Sequence, residues 1–125
     1  MGHINKYIVL RAREASVVAR FVARRSPAFP ADARRESGYQ LGRIQQGLPP
    51  TDWKPMTTVG PGVVEIRIHT RVEHRVFYIA KFEEAVYVIH AFEKQTRQTP
   101  QHDIALAKKR LADLIRRRAQ KGEAT

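Results

Sequence analysis

Basic side chains recur through the middle of this sequence at positions that could act together: Lys54, Arg67, Arg75, His90 and Lys94. Lys54 precedes a set of strand-like segments. Arg67 falls on the first of them, Arg75 opens the second, His90 ends the third and Lys94 lies just beyond. Neighbouring strands bring such positions within reach of one another. A group of this kind could cut RNA without a metal. The ribose 2′-hydroxyl is the nucleophile, so the protein need only move protons and stabilise charge. Arginine grips a phosphate through two hydrogen bonds, fixed positive charge stabilises the crowded phosphorane, and a histidine titrating near neutrality serves as acid or base. Each residue also fits a plainer role: Arg67 on a solvated face beside Glu65, Arg75 in a structural salt bridge, His90 as a hydrogen-bonded core residue, and Lys54 and Lys94 as phosphate contacts that position RNA without catalysis.

Other chemistries find no support. The sequence lacks a GxxxxGK[ST] loop and an HExxH motif. His3, His69, His74, His90 and His102 show no zinc-ligand spacing, and no acidic cluster suggests a magnesium site. With no cysteine there is neither a disulfide framework nor a thiolate site. No cofactor and no metal is expected.

Charge points to a polyanionic partner. Lys plus Arg number 23 against 12 Asp plus Glu, a net charge of +11 in 125 residues. Such an excess attracts nucleic acid or an acidic protein. The start of the chain holds only a short apolar run, Tyr7 to Leu10, before Arg11 and Arg13. No stretch approaches the ~20 apolar residues that cross a bilayer. A soluble, cytoplasmic protein without a membrane partner is expected.

The elements that would position the basic residues follow from pattern. Residues 6–10 read as a strand and 11–25 as a helix. Pro30 opens a second helix over 30–46, closed by Gly47 and Pro49-Pro50, with Gly38 and Gly42 inside it as weak points. Residues 48–62 read as an extended loop. Residues 63–69 alternate, with Val64, Ile66 and Ile68 opposed to Glu65, Arg67 and His69. Residues 75–80 and 85–92 are near-continuous apolar runs suited to central strands, and Tyr78, Tyr87 and Phe92 read as core. Thr99 as N-cap and Pro100 as first residue begin a last helix that frays over 119–125. Strand, two helices, three antiparallel strands and a helix make one α+β domain over 1–125, with helices gathered on a face or end of the sheet.

Residues 38–109 closely resemble the phage-derived, HigB-like branch of the RelE/ParE toxin superfamily. The motifs are WKPM (53–56), GPGVVEIRI (60–68), HRVFYIAKFEEAVYVIHAF (74–92), EKQTRQTP (93–100) and DIALAKKR (103–110), in family order. The resemblance implies a RelE-like fold, with two N-terminal helices, an antiparallel sheet and a C-terminal helix. It also implies a ribosome-dependent mRNA interferase. Its partner would be a cognate antitoxin carrying a helix-turn-helix domain, with operator DNA reached only through that antitoxin. Lys54, Arg67, Arg75, His90 and Lys94 match the family's basic positions. The expected catalytic set is Arg75, Arg67, His90 and Lys94, with Lys54, Arg71, His74 and Arg97 binding RNA. The sequence departs from the family where His74 replaces a common tyrosine, where Gln95 replaces a lysine, and in residues 7–27, which lack the usual Gly/Ser turn. Two other functions remain open: a ParE-like inhibitor of DNA gyrase that cuts no RNA, and a degenerate module that only binds RNA or antitoxin.

Overall fold

The computed structural model describes residues 8–10, 29–82 and 85–124. The helix expected over 11–25 lies outside them. The elements run β1 (Ile8–Leu10), α1 (Ala31–Gln45), β2 (Trp53–Pro55), β3 (Val63–His69), β4 (Glu73–Ile79), β5 (Val86–Glu93) and α2 (Gln101–Ala124). All strand pairs are antiparallel, in the order β1-β5-β4-β3-β2, so the fold is α+β. The two edge strands, β1 and β2, are three residues each.

Helix α1 forms despite its two glycines because tertiary contacts outweigh propensity. Ala33, Ser37, Gln40, Leu41 and Ile44 make a buried stripe along it. Its end is set by Gly47, whose φ of 81° is open to glycine at little cost. Gly47 N–H donates to the Ile44 carbonyl and Leu48 N–H to that of Arg43. This is the Schellman pairing that satisfies the last helical carbonyls.

The alternation of β3 sends Ile66 and Ile68 toward α1, where they pack with Val76, Phe29, Ala33, Leu41 and Ile44. A second core lies on the opposite face, where Phe77, Ile79, Tyr87, Ile89 and Phe92 meet Ile104, Ala107, Leu111 and Leu114 of α2. The two described helices therefore cover opposite faces of the sheet rather than one. Strand β4 is buried along nearly its whole length, with Val76 and Tyr78 on one face and Phe77 and Ile79 on the other, so both its faces need a cover. A register shift pairs Phe77 with His90 but Tyr78 with Val88. The extra residue, Ile89, joins the core under α2.

Several boundaries differ from expectation, among them that of β4, which starts at Glu73 rather than Arg75. The 48–62 segment is not all loop, because Trp53–Pro55 pairs with β3. Pro55 is tolerated there because β2 is an edge strand. Helix α2 begins at Gln101, with the Pro100 carbonyl accepting from the amides of Asp103 and Ile104. It then continues to Ala124 instead of fraying from 119. Asp113 pairs with Arg116 and Arg117 there, and the run holds no proline. Gly60 lies against α2 so closely that a Cβ would collide with Leu111.

Phe77 is fully buried in the core under α2. Phe77→Ala is expected to cost about 3–5 kcal/mol of stability, read as a lower denaturant midpoint. Val72→Ala, at the exposed β3–β4 turn, is expected to stay within about 0.5 kcal/mol of wild type.

Candidate functional site

Strand pairing assembles the site. On the sheet face that carries α2, the cross-strand row Lys54, Glu65, Phe77, His90 runs from β2 to β5. The next row is Arg67, Arg75, Phe92, and the one beyond pairs His69 with Glu73. Basic residues far apart in sequence thus meet on one patch.

Glu65 lies at its centre. Its side chain has no exposure, and Lys54 Nζ, Arg67 Nε and Arg75 Nε stand 3.8, 3.6 and 3.8 Å from its Oε1. Lys54 and Arg67 are partly open to solvent, whereas Arg75 is nearly closed off. Arg75 Nη1 donates to Glu73 Oε1 at 2.8 Å and to the His74 carbonyl at 3.0 Å. Lys94 is tied to β4 by its amide, which donates to the Glu73 carbonyl at 2.8 Å. Burial lowers the Lys94 pKa below its usual value. The charges of Arg75, Lys54 and Arg67 push the same way, against the opposing pull of Glu65. Lys54, Arg67, Arg75 and Lys94 are therefore brought together, as expected. Glu65, the carboxylate they surround, was missed as a site residue. Its signal was present: a charged residue in mid-strand, two positions before Arg67 and so facing the same way.

Two more carboxylates hold the outer rim. The Asp52 carbonyl accepts from the Arg67 amide at 2.9 Å, and its side chain stands 4.0 Å from Arg67 Nη1. His69 joins Asp52 to Glu73, one at each ring nitrogen. Those acids sit on opposite sides of the imidazole and do not converge on one point. Among the described residues no group of His, Cys, Asp and Glu is arranged to hold a metal ion.

The other expected site residues lie elsewhere. His90 is on the same sheet face, but Phe77 stands between it and Glu65, two strand spacings or about 10 Å across. Helix α2 closes over His90: its Nε2 meets Asp103 Oδ1 at 2.7 Å and Arg110 Nη1 donates to its Nδ1 at 2.9 Å. Arginine can only donate, so Nδ1 is unprotonated and the proton sits on Nε2. The ring is buried and both nitrogens are engaged, so His90 is a core histidine and not an acid or base for the cationic patch. His74 is fully buried on the other face, against the Phe29 ring at 4.2 Å, and cannot touch RNA there. Alternation along β4 turns it away from Arg75. Arg71 is exposed at the β3–β4 turn and reaches toward Asp32 of α1, away from the patch. Arg97 is exposed between β5 and α2.

The family model described as Phage derived protein Gp49-like (DUF891) matches residues 27–112. That stretch contains Asp52, Lys54, Glu65, Arg67, Arg75 and Lys94. No curated protein and no solved structure matches the chain.

The two paired histidines have opposite pH signatures. Hydrogen bonds to Asp52 and then Glu73 raise the His69 pKa above the ordinary 6.5. Its contribution is full below pH 6.5 and is lost as pH rises through the raised value. Burial lowers the His90 pKa, outweighing the bond to Asp103. Stability is therefore lost as pH falls from 6.5 through the lowered value. Denaturant midpoints measured across this range should fall on both sides. His69→Gln should flatten the alkaline side and leave the acidic side in place.

Proposed function

The chain belongs to the Gp49-like phage-derived protein family, and from that premise we propose that it is a metal-independent endoribonuclease, the toxin of a RelE/HigB-type toxin–antitoxin pair that cleaves mRNA on the ribosome. The observation that carries the reading is the convergence of Lys54, Arg67 and Arg75 on one carboxylate, with Lys94 beside them. The motif order from WKPM to DIALAKKR supports it as well.

The chemistry uses the RNA's own sugar. The 2′-oxygen attacks phosphorus, a P–O2′ bond forms and the P–O5′ bond breaks. The products are a 2′,3′-cyclic phosphate and a 5′-hydroxyl end. Lys54 and Arg67, the accessible cations, hold the non-bridging oxygens, and Arg75 adds positive charge from beneath. Lys94, with its lowered pKa, moves a proton between the 2′-hydroxyl and the leaving 5′-oxygen. The cognate antitoxin silences the protein by laying an acidic segment over this patch.

Induced expression should halt growth and produce new RNA 5′ ends within ribosome-bound reading frames, the upstream fragments ending in cyclic phosphate. Arg67→Ala is expected to cut cleavage by about 10²–10³-fold and to lower stability as well, because it takes the nearest cation away from the buried Glu65 carboxylate. Arg75→Ala should also relieve toxicity. Lys54→Ala should weaken RNA binding across sequences and lower the salt slope by about one. Intact RNA with DNA damage would instead identify a gyrase inhibitor. Tight RNA binding with no growth defect would identify a module without catalysis. An antitoxin that leaves cleavage unchanged would overturn the proposed mode of silencing.

A further inference from the structure

We propose that Glu65 is the positioning residue of this patch: its buried carboxylate sets where the head groups of Lys54, Arg67 and Arg75 stand, and so the geometry in which a phosphodiester is held. The proposal deepens the ribonuclease reading and rests on it for its cleavage arm.

Four observations carry the assignment. Glu65 has no exposed side-chain surface, so it cannot reach an RNA bound at the face and must act through its neighbours. Its Oε1 lies at nearly one distance, 3.6 to 3.8 Å, from cations on three successive strands. Both of its oxygens, Arg67 Nε and Arg75 Nε are buried and make no hydrogen bond, so charge attraction alone links them. Arg67 and Arg75 are direct cross-strand partners. Like charges so placed repel, and the carboxylate beside them is the group that draws both inward.

A second argument concerns sign. A patch built only to attract RNA would be stronger without an acid at its centre. Glu65 lowers the positive charge there, so its presence makes sense as a constraint on geometry. Glu65→Gln keeps the shape and removes the charge. RNA affinity should then stay the same or rise while cleavage falls, a split that a fold defect does not produce.

The test compares wild type with Glu65→Gln in the full chain. Binding is read with a single-stranded 2′-O-methyl RNA, which cannot be cleaved, and cleavage with translating ribosomes across pH. The expected result is binding within threefold of wild type or tighter, cleavage reduced at least thirtyfold, and an unchanged shape of the pH profile. Cleavage at the wild-type rate overturns the proposal. Loss of the acidic limb also overturns it, because Glu65 would then be a base. A parallel loss of binding, cleavage and thermal stability overturns it in favour of a purely structural role. Nitrogen-15 NMR of the Arg67 and Arg75 Nε–H groups gives a readout independent of cleavage: both should be protected from exchange in wild type, then shift and exchange faster in the variant. If wild type cuts no RNA yet these signals move as expected, the ribonuclease reading fails and the positioning role stands. Unmoved signals overturn the positioning role whatever the activity. Should Glu65→Gln fail to fold, Glu65→Asp keeps the charge but withdraws the carboxylate by one methylene: cleavage and the Nε–H signals should change in the same direction while binding stays within threefold of wild type.

Discussion

A carboxylate taken fully out of water is unfavourable unless positive charge surrounds it. Glu65 meets that condition through Lys54, Arg67 and Arg75, which come from β2, β3 and β4. The dependence runs both ways. The cations crowd together only because a negative charge sits among them, and that charge can be buried only because they are there. The result is graded in depth: Glu65 innermost, Arg75 nearly enclosed, Arg67 and Lys54 facing outward. Asp52 and Glu73, joined through His69, hold the arginines from the rim. The outer arginine is thereby restrained before any anion arrives, which reduces what must be ordered on binding.

The fold supplies this arrangement by dividing one sheet face between two uses. Helix α2 packs over Phe77, Ile79 and Ile89. The rows of Glu65 and Arg67 toward β2 carry the charges. Phe77 is the wall between the halves, with the cationic group on one side and the His90, Asp103 and Arg110 group on the other. The opposite face, filled by α1, Ile66, Ile68 and Val76, keeps β3 and β4 in register and so keeps Arg67 opposite Arg75.

Much of this was readable from residues alone. The alternation of 63–69, the apolar runs of β4 and β5, and the stripe of α2 each follow a local pattern, so the strands and the start of α2 were placed within a residue or two, while the end of α2 was not. The meeting of Lys54, Arg67, Arg75 and Lys94 was legible because strand order and direction follow from short connections. What local pattern could not convey depends on contacts across the fold. Trp53–Pro55 is too short to announce itself and is a strand only because β3 is beside it. His90 looked like a candidate acid because its partners, Asp103 and Arg110, are on a helix many residues later. His74 entered the RNA-binding set through the resemblance alone, as the residue before Arg75, yet Phe29 and the neighbouring strands enclose it. Glu65 read as an ordinary acid on a solvated face, since its burial is collective.

The brevity of the outermost strand β2 bears on how such a protein can accumulate. A sheet margin presents unpaired amide and carbonyl groups on which a further chain can grow. On the β2 side the margin is a strand of three residues that contains Pro55, which has no amide hydrogen to offer. A margin so short leaves little template there for stacking copies into fibres. Mutual repulsion from the net charge of +11 opposes self-association as well. Crowded copies of this molecule are thus guarded against clumping by geometry and by electrostatics at once.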